Sequence, residues 1–364
     1  MKKILLSFKQ SNIITGYLYF YVHFVTEILC FYVLSRIVGN NLILWMMPFI
    51  YDAFAFVPQS IIGYLSDKYP KINMGIIGTI LLIIGFITFF TNSFPGTYIE
   101  LIILCFGNGF IHVAGAEVTL RSSNGKLSHS AIFVSGGSFG VITGKLLAKT
   151  KISFVFVSLL ALTMIPCIIL AEYYRKEIKK PDLSCQNFNY HNEHINPLLV
   201  ILLAVFVVIV RGYMGYGIPT SWNKTVLQTI MLYVTMGIGK ALGGILSDAF
   251  GIRKIAIVSV VFSLPFLLFG DNYMLISLIG IMLFSMTMSI TLGLLVSVLK
   301  KTPGLAFGLT TIGLFLGTAP IFFIKLNTFL ANVIVISIST IICLVILLTI
   351  IRKDDKVEII WNCV

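Results

Sequence analysis

Apolar residues run along the chain in blocks of about twenty positions, separated by short polar clusters; Ile72 to Thr91, Leu198 to Val210 with its continuation, and Ala331 to Ile351 are the clearest. Twenty residues at a rise of about 1.5 Å cross a hydrocarbon core of roughly 30 Å, so each block predicts a spanning α-helix. Transmembrane β-strands would instead alternate apolar and polar positions over segments of about ten residues, whereas these blocks are apolar on every face. Block length, helix breakers and charge predict twelve helices. They fall near residues 13–38, 42–65, 72–92, 97–120, 130–148, 152–174, 196–218, 225–249, 252–269, 272–298, 303–325 and 328–351. The expected fold class is an all-α integral membrane protein.

The only long polar stretch, Arg175 to Asn196, follows the sixth predicted helix and carries Lys179-Lys180-Pro181-Asp182 and His191-Asn192-Glu193-His194. It predicts a linker, residues 175–195, between an N-terminal six-helix bundle (1–174) and a C-terminal one (196–351), with a tail at 352–364. The halves repeat. Gly63-Tyr64-Leu65-Ser66-Asp67-Lys68 closes the second predicted helix and Gly244-Ile245-Leu246-Ser247-Asp248 closes the eighth, half a chain later. Repeated halves related about the membrane normal are a transporter architecture, with the solute site at the midplane between them.

Composition agrees with lipid as the main solvent: 58% of the 364 residues are hydrophobic, 11% are charged, and mean hydropathy is +0.99. The net charge of +12 does not point to nucleic acid, because the basic residues stand in ones and twos between apolar blocks. The positive-inside rule accounts for them. In a twelve-helix layout, Lys2, Lys3, Lys9, Lys68, Lys71, Arg121, Lys126, Arg175, Lys176, Lys179, Lys180, Arg253, Lys254, Lys300, Lys301, Arg352, Lys353 and Lys356 share one side. Only Arg36, Lys149, Lys151, Lys224 and Lys325 fall on the other. A bacterial-type inner membrane protein with both termini cytoplasmic is expected. The opening Met1-Lys2-Lys3-Ile4-Leu5-Leu6 meets Lys9-Gln10-Ser11-Asn12 before any small-residue cleavage site, so it reads as a lead-in to an uncleaved helix. Cys30, Cys105, Cys167, Cys185, Cys343 and Cys363 lack metal spacing and pairing and read as reduced packing residues.

Gly63 to Lys71, and more fully Gly244 to Lys254 with Gly251, Arg253 and Lys254, resemble the cytoplasmic loop signature of the major facilitator superfamily, Gly-x-x-x-Asp-Arg/Lys-x-Gly-x-Arg-Lys/Arg. Pro70 stands at the glycine of the first copy, and Ala249 at the basic residue of the second. A narrower resemblance is to the fosmidomycin-resistance type of exporter. His23-Phe24-Val25-Thr26-Glu27 is similar to its His-Phe-x-x-Asp/Glu, and Gly109-Phe110-Ile111-His112-Val113-Ala114-Gly115 to its Phe-His-Pro-x-Gly, with Val113 at the proline. Ser135-Gly136-Gly137 and Pro303-Gly304-Leu305-Ala306-Phe307-Gly308-Leu309 match further. The resemblance implies secondary transport by rocking of the two bundles.

Ionisable side chains inside apolar blocks cost about 2.5 to 3.5 kcal/mol each at the bilayer centre, so they are expected to line a shared interior. His23 and Glu27, four residues apart on one helical face, are the first choice for proton coupling, with Asp52, His112 and Glu117 as further cavity residues. An interhelical hydrogen bond that only fixes packing is the competing reading for each, and for Glu117 a pairing with Arg121 or Lys126. Arg211, in a glycine-rich helix end, and Lys240 are candidate ligands for an anionic solute, although Lys240 could also snorkel. Gly63, Asp67, Lys68, Arg121, Gly244, Asp248, Gly251 and Arg253 form the candidate conformational latch, in which an aspartate docks on a neighbouring helix N-terminus or pairs with Arg121. Gly136, Gly140 and Gly144 predict close helix packing, and also resemble the glycine-rich antiporter signature of exporters in the superfamily. His191 and His194 have no third ligand in sequence reach and read as a solvated loop, so no metal site is expected.

No Walker loop, nucleophile elbow or zinc triad is present in a plausible setting, which argues against ATP-driven pumping and against an enzyme. No cofactor is expected; the expected partners are lipid, protons and a small-molecule substrate, and the expected unit is a monomer. Proton-coupled export of a small organic compound leads, with proton-linked uptake of a small anionic nutrient as the alternative. A carboxyl-terminal fusion tests the topology: green fluorescent protein there should fluoresce and alkaline phosphatase should be inactive, and the reverse pair would place that end outside.

Overall fold

A computed structural model describes residues 2–39, 46–91, 97–150, 154–178, 185–324 and 328–353. The Lys179-Lys180-Pro181-Asp182 run, Lys151, Lys325, Lys356 and Cys363 lie outside the described residues. Among those described, the chain is helical and carries no strand beyond an isolated bridge between His191 and Ile351. The helices are α1 (Lys2–Gly39), α2 (Met47–Phe56), α3 (Gln59–Lys68), α4 (Met74–Thr91), α5 (Thr97–Ser122), α6 (Ser128–Lys149) and α7 (Phe154–Ile178). After the linker follow α8 (Pro197–Gly217), α9 (Val226–Phe250), α10 (Ile252–Phe269), α11 (Met274–Ser285), α12 (Thr287–Val298), α13 (Pro303–Thr318) and α14 (Phe329–Ile350).

Ten stretches among the described residues are long and apolar enough to cross a membrane. The slightly shorter α4 and the α2–α3 pair bring the spanning elements to the twelve expected from the apolar blocks. The differences from that expectation are local. The second span breaks at Val57-Pro58, because Pro58 has no N–H to donate and its ring crowds the preceding turn. The tenth span splits at Met286, whose N–H reaches back to the Leu283 carbonyl in a tighter turn. The eleventh ends in a short 3-10 turn, Ala319–Phe322, where Pro320 closes the α-helix.

Side chains are sorted as lipid requires. Ile76, Ile80, Ile84 and Ile87 of α4, Leu198, Leu202 and Phe206 of α8, and Ile334, Ile338, Ile342 and Val345 of α14 face outward. His23, Glu27, Gln59, Asn108, His112, Glu117 and Arg211 are buried. Helix α1 packs on α5, α6 and α7, and α4 on α5; in the second half α8 packs on α12, α13 and α14, and α10 on α9, α11 and α14. The halves meet along two seams, α6 against α9 and α3 against α13. Residues 185–195, expected to be solvated, are instead docked beneath the ends of the helices. The Arg352 N–H donates to the Tyr190 carbonyl at 2.9 Å, the Asn192 N–H to that of Ile350 at 2.8 Å, and the Tyr190 hydroxyl to that of Gly125. His191 reaches Ser297 at 3.0 Å, which leaves His194 as the exposed member of the pair.

Both seams depend on missing side chains. A Cβ on Gly63 would overlap the Gly304 carbonyl, one on Gly308 would overlap Ser60, and one on Gly244 would overlap Ala131. Within the first half, Gly136, Gly140 and Gly144 lie against the carbonyls of Phe20, Phe24 and Ile28, so α1 and α6 approach backbone to backbone. Gly63→Ala should therefore lower stability by about 1–3 kcal/mol, the usual cost of overpacking. Gly16→Ala, where a Cβ meets nothing within 4 Å, should leave it unchanged or slightly raised. Thermal melting of the purified protein checks both, and equal melting temperatures would remove the argument for a close α3–α13 seam.

Candidate functional site

Two polar sites stand out, one at the helix ends on the seams and one near mid-depth within the first half. At the ends, the last turn of α3 in the first half carries Asp67, whose carboxylate accepts the N–H groups of Gly304 (3.2 Å) and Leu305 (2.9 Å), the first amides of α13 in the second half. The exchange is repeated with the halves reversed. Asp248, at the end of α9, accepts the N–H groups of Leu127 (2.8 Å) and Ser128 (2.9 Å) at the start of α6. Helix N-termini present unpaired N–H groups and a partial positive charge, so each carboxylate meets a ready partner that belongs to the other half.

Arg121 extends the first contact. Its guanidinium donates to Asp67 at 3.2 Å and, through Nε, to Glu117 at 2.9 Å, while the Ser66 hydroxyl donates to the other Glu117 oxygen. Glu117 therefore belongs to this end network, apart from His23 and Glu27. Gly251 turns the chain from α9 into α10 at φ +92°, a conformation that favours glycine. Arg253 donates to the carbonyls of Leu348 and Ile351, both at 3.0 Å, and so closes the end of α14 within its own half. Lys68 lies over the rings of Tyr64 and Tyr69 and forms no hydrogen bond or ion pair with the second half among the described residues.

At mid-depth, α1 and α5 bring His23, Glu27 and His112 together, all buried. His112 Nε2 lies 3.3 Å and His23 Nε2 3.7 Å from the same oxygen, Glu27 Oε1. Each ring is held from behind: His23 Nδ1 is 2.9 Å from the Phe133 carbonyl and His112 Nδ1 2.9 Å from the Asn108 carbonyl. The Asn108 amide donates to Glu27 Oε1 and to the Tyr51 hydroxyl, both at 3.0 Å. The imidazoles stand edge to face at 4.2 Å, with Phe133 and Phe307 packed around them. Asn108 lies one turn before His112 on α5, a spacing readable from the sequence, but an uncharged amide among glycines gave no reason to single it out.

The remaining charged candidates lie around this cluster. Asp52 is half-buried and forms no hydrogen bond or ion pair among the described residues, and Glu27 and Lys145 are its charged neighbours. Lys240 of α9 reaches across the seam to the Ser138 hydroxyl at 2.8 Å, and Lys145 of α6 crosses to the Tyr233 hydroxyl at 2.6 Å. Arg211 is buried, pairs with no carboxylate among the described residues, and leaves its Nε without a hydrogen bond.

No family model matches the chain, and no curated protein matches it in sequence. Among solved structures it is similar to a bacterial homologue of the iron transporter ferroportin in an outward-facing state, with a TM-score of 0.56. That likeness covers 93% of this chain and 98% of the other at 12% identity. It is a likeness of fold. The chain is a multi-pass, all-α membrane protein that shares the fold of this solved structure.

The end network makes a native thiol its own reporter. Cys185 is buried beside Arg121, Asp67 and Glu117, and burial pushes its thiol pKa up to about 12, so little reactive thiolate forms near neutral pH. Asp67→Asn removes the charge that meets α13 and Arg121, at a cost of about 1–2 kcal/mol to the closed arrangement. With Cys167 and Cys363 replaced by serine, maleimide labelling of Cys185 should then accelerate roughly 5- to 30-fold. An unchanged labelling rate would show that the carboxylate does not hold this end shut.

Proposed function

We propose that the chain is a secondary transporter that works by alternating access and exports a small organic compound in exchange for protons. The observation that carries this reading is the reciprocal pair of contacts, Asp67 on α13 and Asp248 on α6, at one end of the two seams. Hydrogen-bonded contacts of this kind are cheap enough to break within a transport cycle and strong enough to favour one state, as a two-state carrier requires. The fold shared with a solved transporter supports the same reading.

Glu27 is the proton carrier in this scheme. Its carboxylate is enclosed with two imidazoles and one amide donor, so a proton taken up there changes the charge of a buried site. Arg211, Lys240 and Lys145 supply positive charge without a carboxylate in contact among the described residues, which suits a solute of anionic character.

Proteoliposomes with an imposed pH gradient test the scheme. Wild-type protein should move anionic organic compounds against the proton flow and stop when an ionophore collapses the gradient. Glu27→Gln should lower coupled flux by about tenfold or more, equivalent to at least about 1.4 kcal/mol in the limiting step. Flux that ignores both the gradient and the substitution would refute proton coupling at Glu27.

A further inference from the structure

The backbone contacts of the two buried histidines determine which ring atoms face Glu27. A carbonyl oxygen can only accept, so Phe133 and Asn108 each hold a proton on the Nδ1 atom that touches them. In both neutral rings Nε2 is therefore the atom with the free lone pair, and both Nε2 atoms are directed at one carboxylate oxygen. Three electron-pair donors, from His23, Glu27 and His112, lie within 4.8 Å of one another. The Asn108 amide is the neutral donor that meets that oxygen. Such a convergence calls for positive charge at its centre.

A single proton answers it incompletely. At 3.3 Å and 3.7 Å, neither imidazole has the separation of about 2.7–2.9 Å expected when a proton bridges a charged pair. A metal ion meets all three atoms at once. With ligands about 2.0–2.1 Å from its centre, a tetrahedral ion has ligand-to-ligand edges of about 3.3 Å, close to the two nitrogen-to-oxygen separations of 3.3 Å and 3.7 Å. The support behind the rings is also of the kind that metal-binding histidines use, with the second ring nitrogen donating to a backbone carbonyl to fix tautomer and orientation. The glycine at position 137 contributes, because a Cβ there would lie 2.6 Å from His23 Nε2 and intrude on the site.

We propose that His23 Nε2, His112 Nε2 and the Glu27 carboxylate form a binding site for a divalent first-row transition metal ion, with at least one coordination position open to a further ligand. Two imidazoles and one carboxylate suit Zn²⁺, Fe²⁺, Co²⁺ or Ni²⁺; Mg²⁺ and Ca²⁺ prefer all-oxygen sites, and Cu⁺ prefers sulfur. Lys240 from α9 is the cationic neighbour of His112 and opposes the ion, and Asp52 from α2 faces Glu27 and offsets that charge. The ion and a proton would compete for the same lone pairs. The site goes beyond the transport reading and stands independently of it, because its test is equilibrium binding.

Full-length protein in detergent, stripped with chelator and dialysed, is titrated with Co²⁺ and read by the visible absorption that four- or five-coordinate cobalt gives. One Co²⁺ per chain with this absorption is expected. His23→Gln, Glu27→Gln and His112→Gln, each confirmed as monodisperse, should each weaken binding more than about tenfold, since loss of a mere outer-shell partner already costs that much. His191→Gln/His194→Gln should bind as the wild type does. A melting temperature that rises with Zn²⁺ in the wild type and not in Glu27→Gln gives the same answer without a spectrum. Absence of the absorption from wild-type protein, its persistence in all three buried variants, or its loss with the loop histidines would overturn the site.

Discussion

A carboxylate at the end of one helix, set on the open amides at the start of another, is the interaction from which the rest of this molecule can be followed. It occurs twice, with donor and acceptor halves exchanged, and in each copy the helices can approach because glycine lines the seam: Gly63 against Gly304, and Gly244 against Ala131. The contact is local and made of hydrogen bonds, so it is reversible, and it draws on the partial positive charge of a helix N-terminus. Arg121 and Glu117 steady the first copy from α5, and the docked linker braces the same end through Tyr190 and Arg352. Toward the opposite end the halves also meet, through Phe49 of α2 against Phe315, Phe322 and Phe323 and through Lys145 and Tyr233.

The clamped end gives the mid-depth cluster its setting. His23, Glu27 and His112 lie between α1 and α5, beneath the aromatic cover of Phe133 and Phe307, and α13 supplies Phe307 from the half that would move away. Breaking the α3–α13 seam would therefore carry one wall of the cluster with it. A site of high local charge thus shares its wall with the clamp, the geometry needed for an occupant, whether proton or metal ion, to bias the state of the whole molecule.

Most of the architecture is legible in the apolar blocks, because lipid thickness dictates helix length whatever the tertiary detail. Pro58 in the second block marks a kink in plain view, whereas the break at Met286 has no breaker residue and lies where Gly239 and Gly243 approach the Met282 and Met286 backbone. The repeated Gly-x-x-x-Asp motif locates both clamps, since a carboxylate at a helix end has few partners other than a neighbouring N-terminus. Spacing on one helix also pairs His23 with Glu27. It could not bring in His112, which arrives from α5 through tertiary packing, nor show that Asn108 and Phe133 fix the rings, since backbone carbonyls leave no trace in a sequence. Glu117 moved from the cluster to the clamp for a similar reason: on α5 it lies five residues beyond His112, more than one turn nearer the helix end where Arg121 lies.

The clamp is tested most directly by the distance between the halves at that end. Spin labels at Tyr69, after α3, and Lys301, before α13, are both exposed and report on one seam by pulsed electron resonance. The account predicts one short-distance population in the otherwise native protein and a second, longer one when Asp67 and Asp248 are both replaced by asparagine. Identical distance distributions in the two proteins would mean that something other than these carboxylates joins the halves.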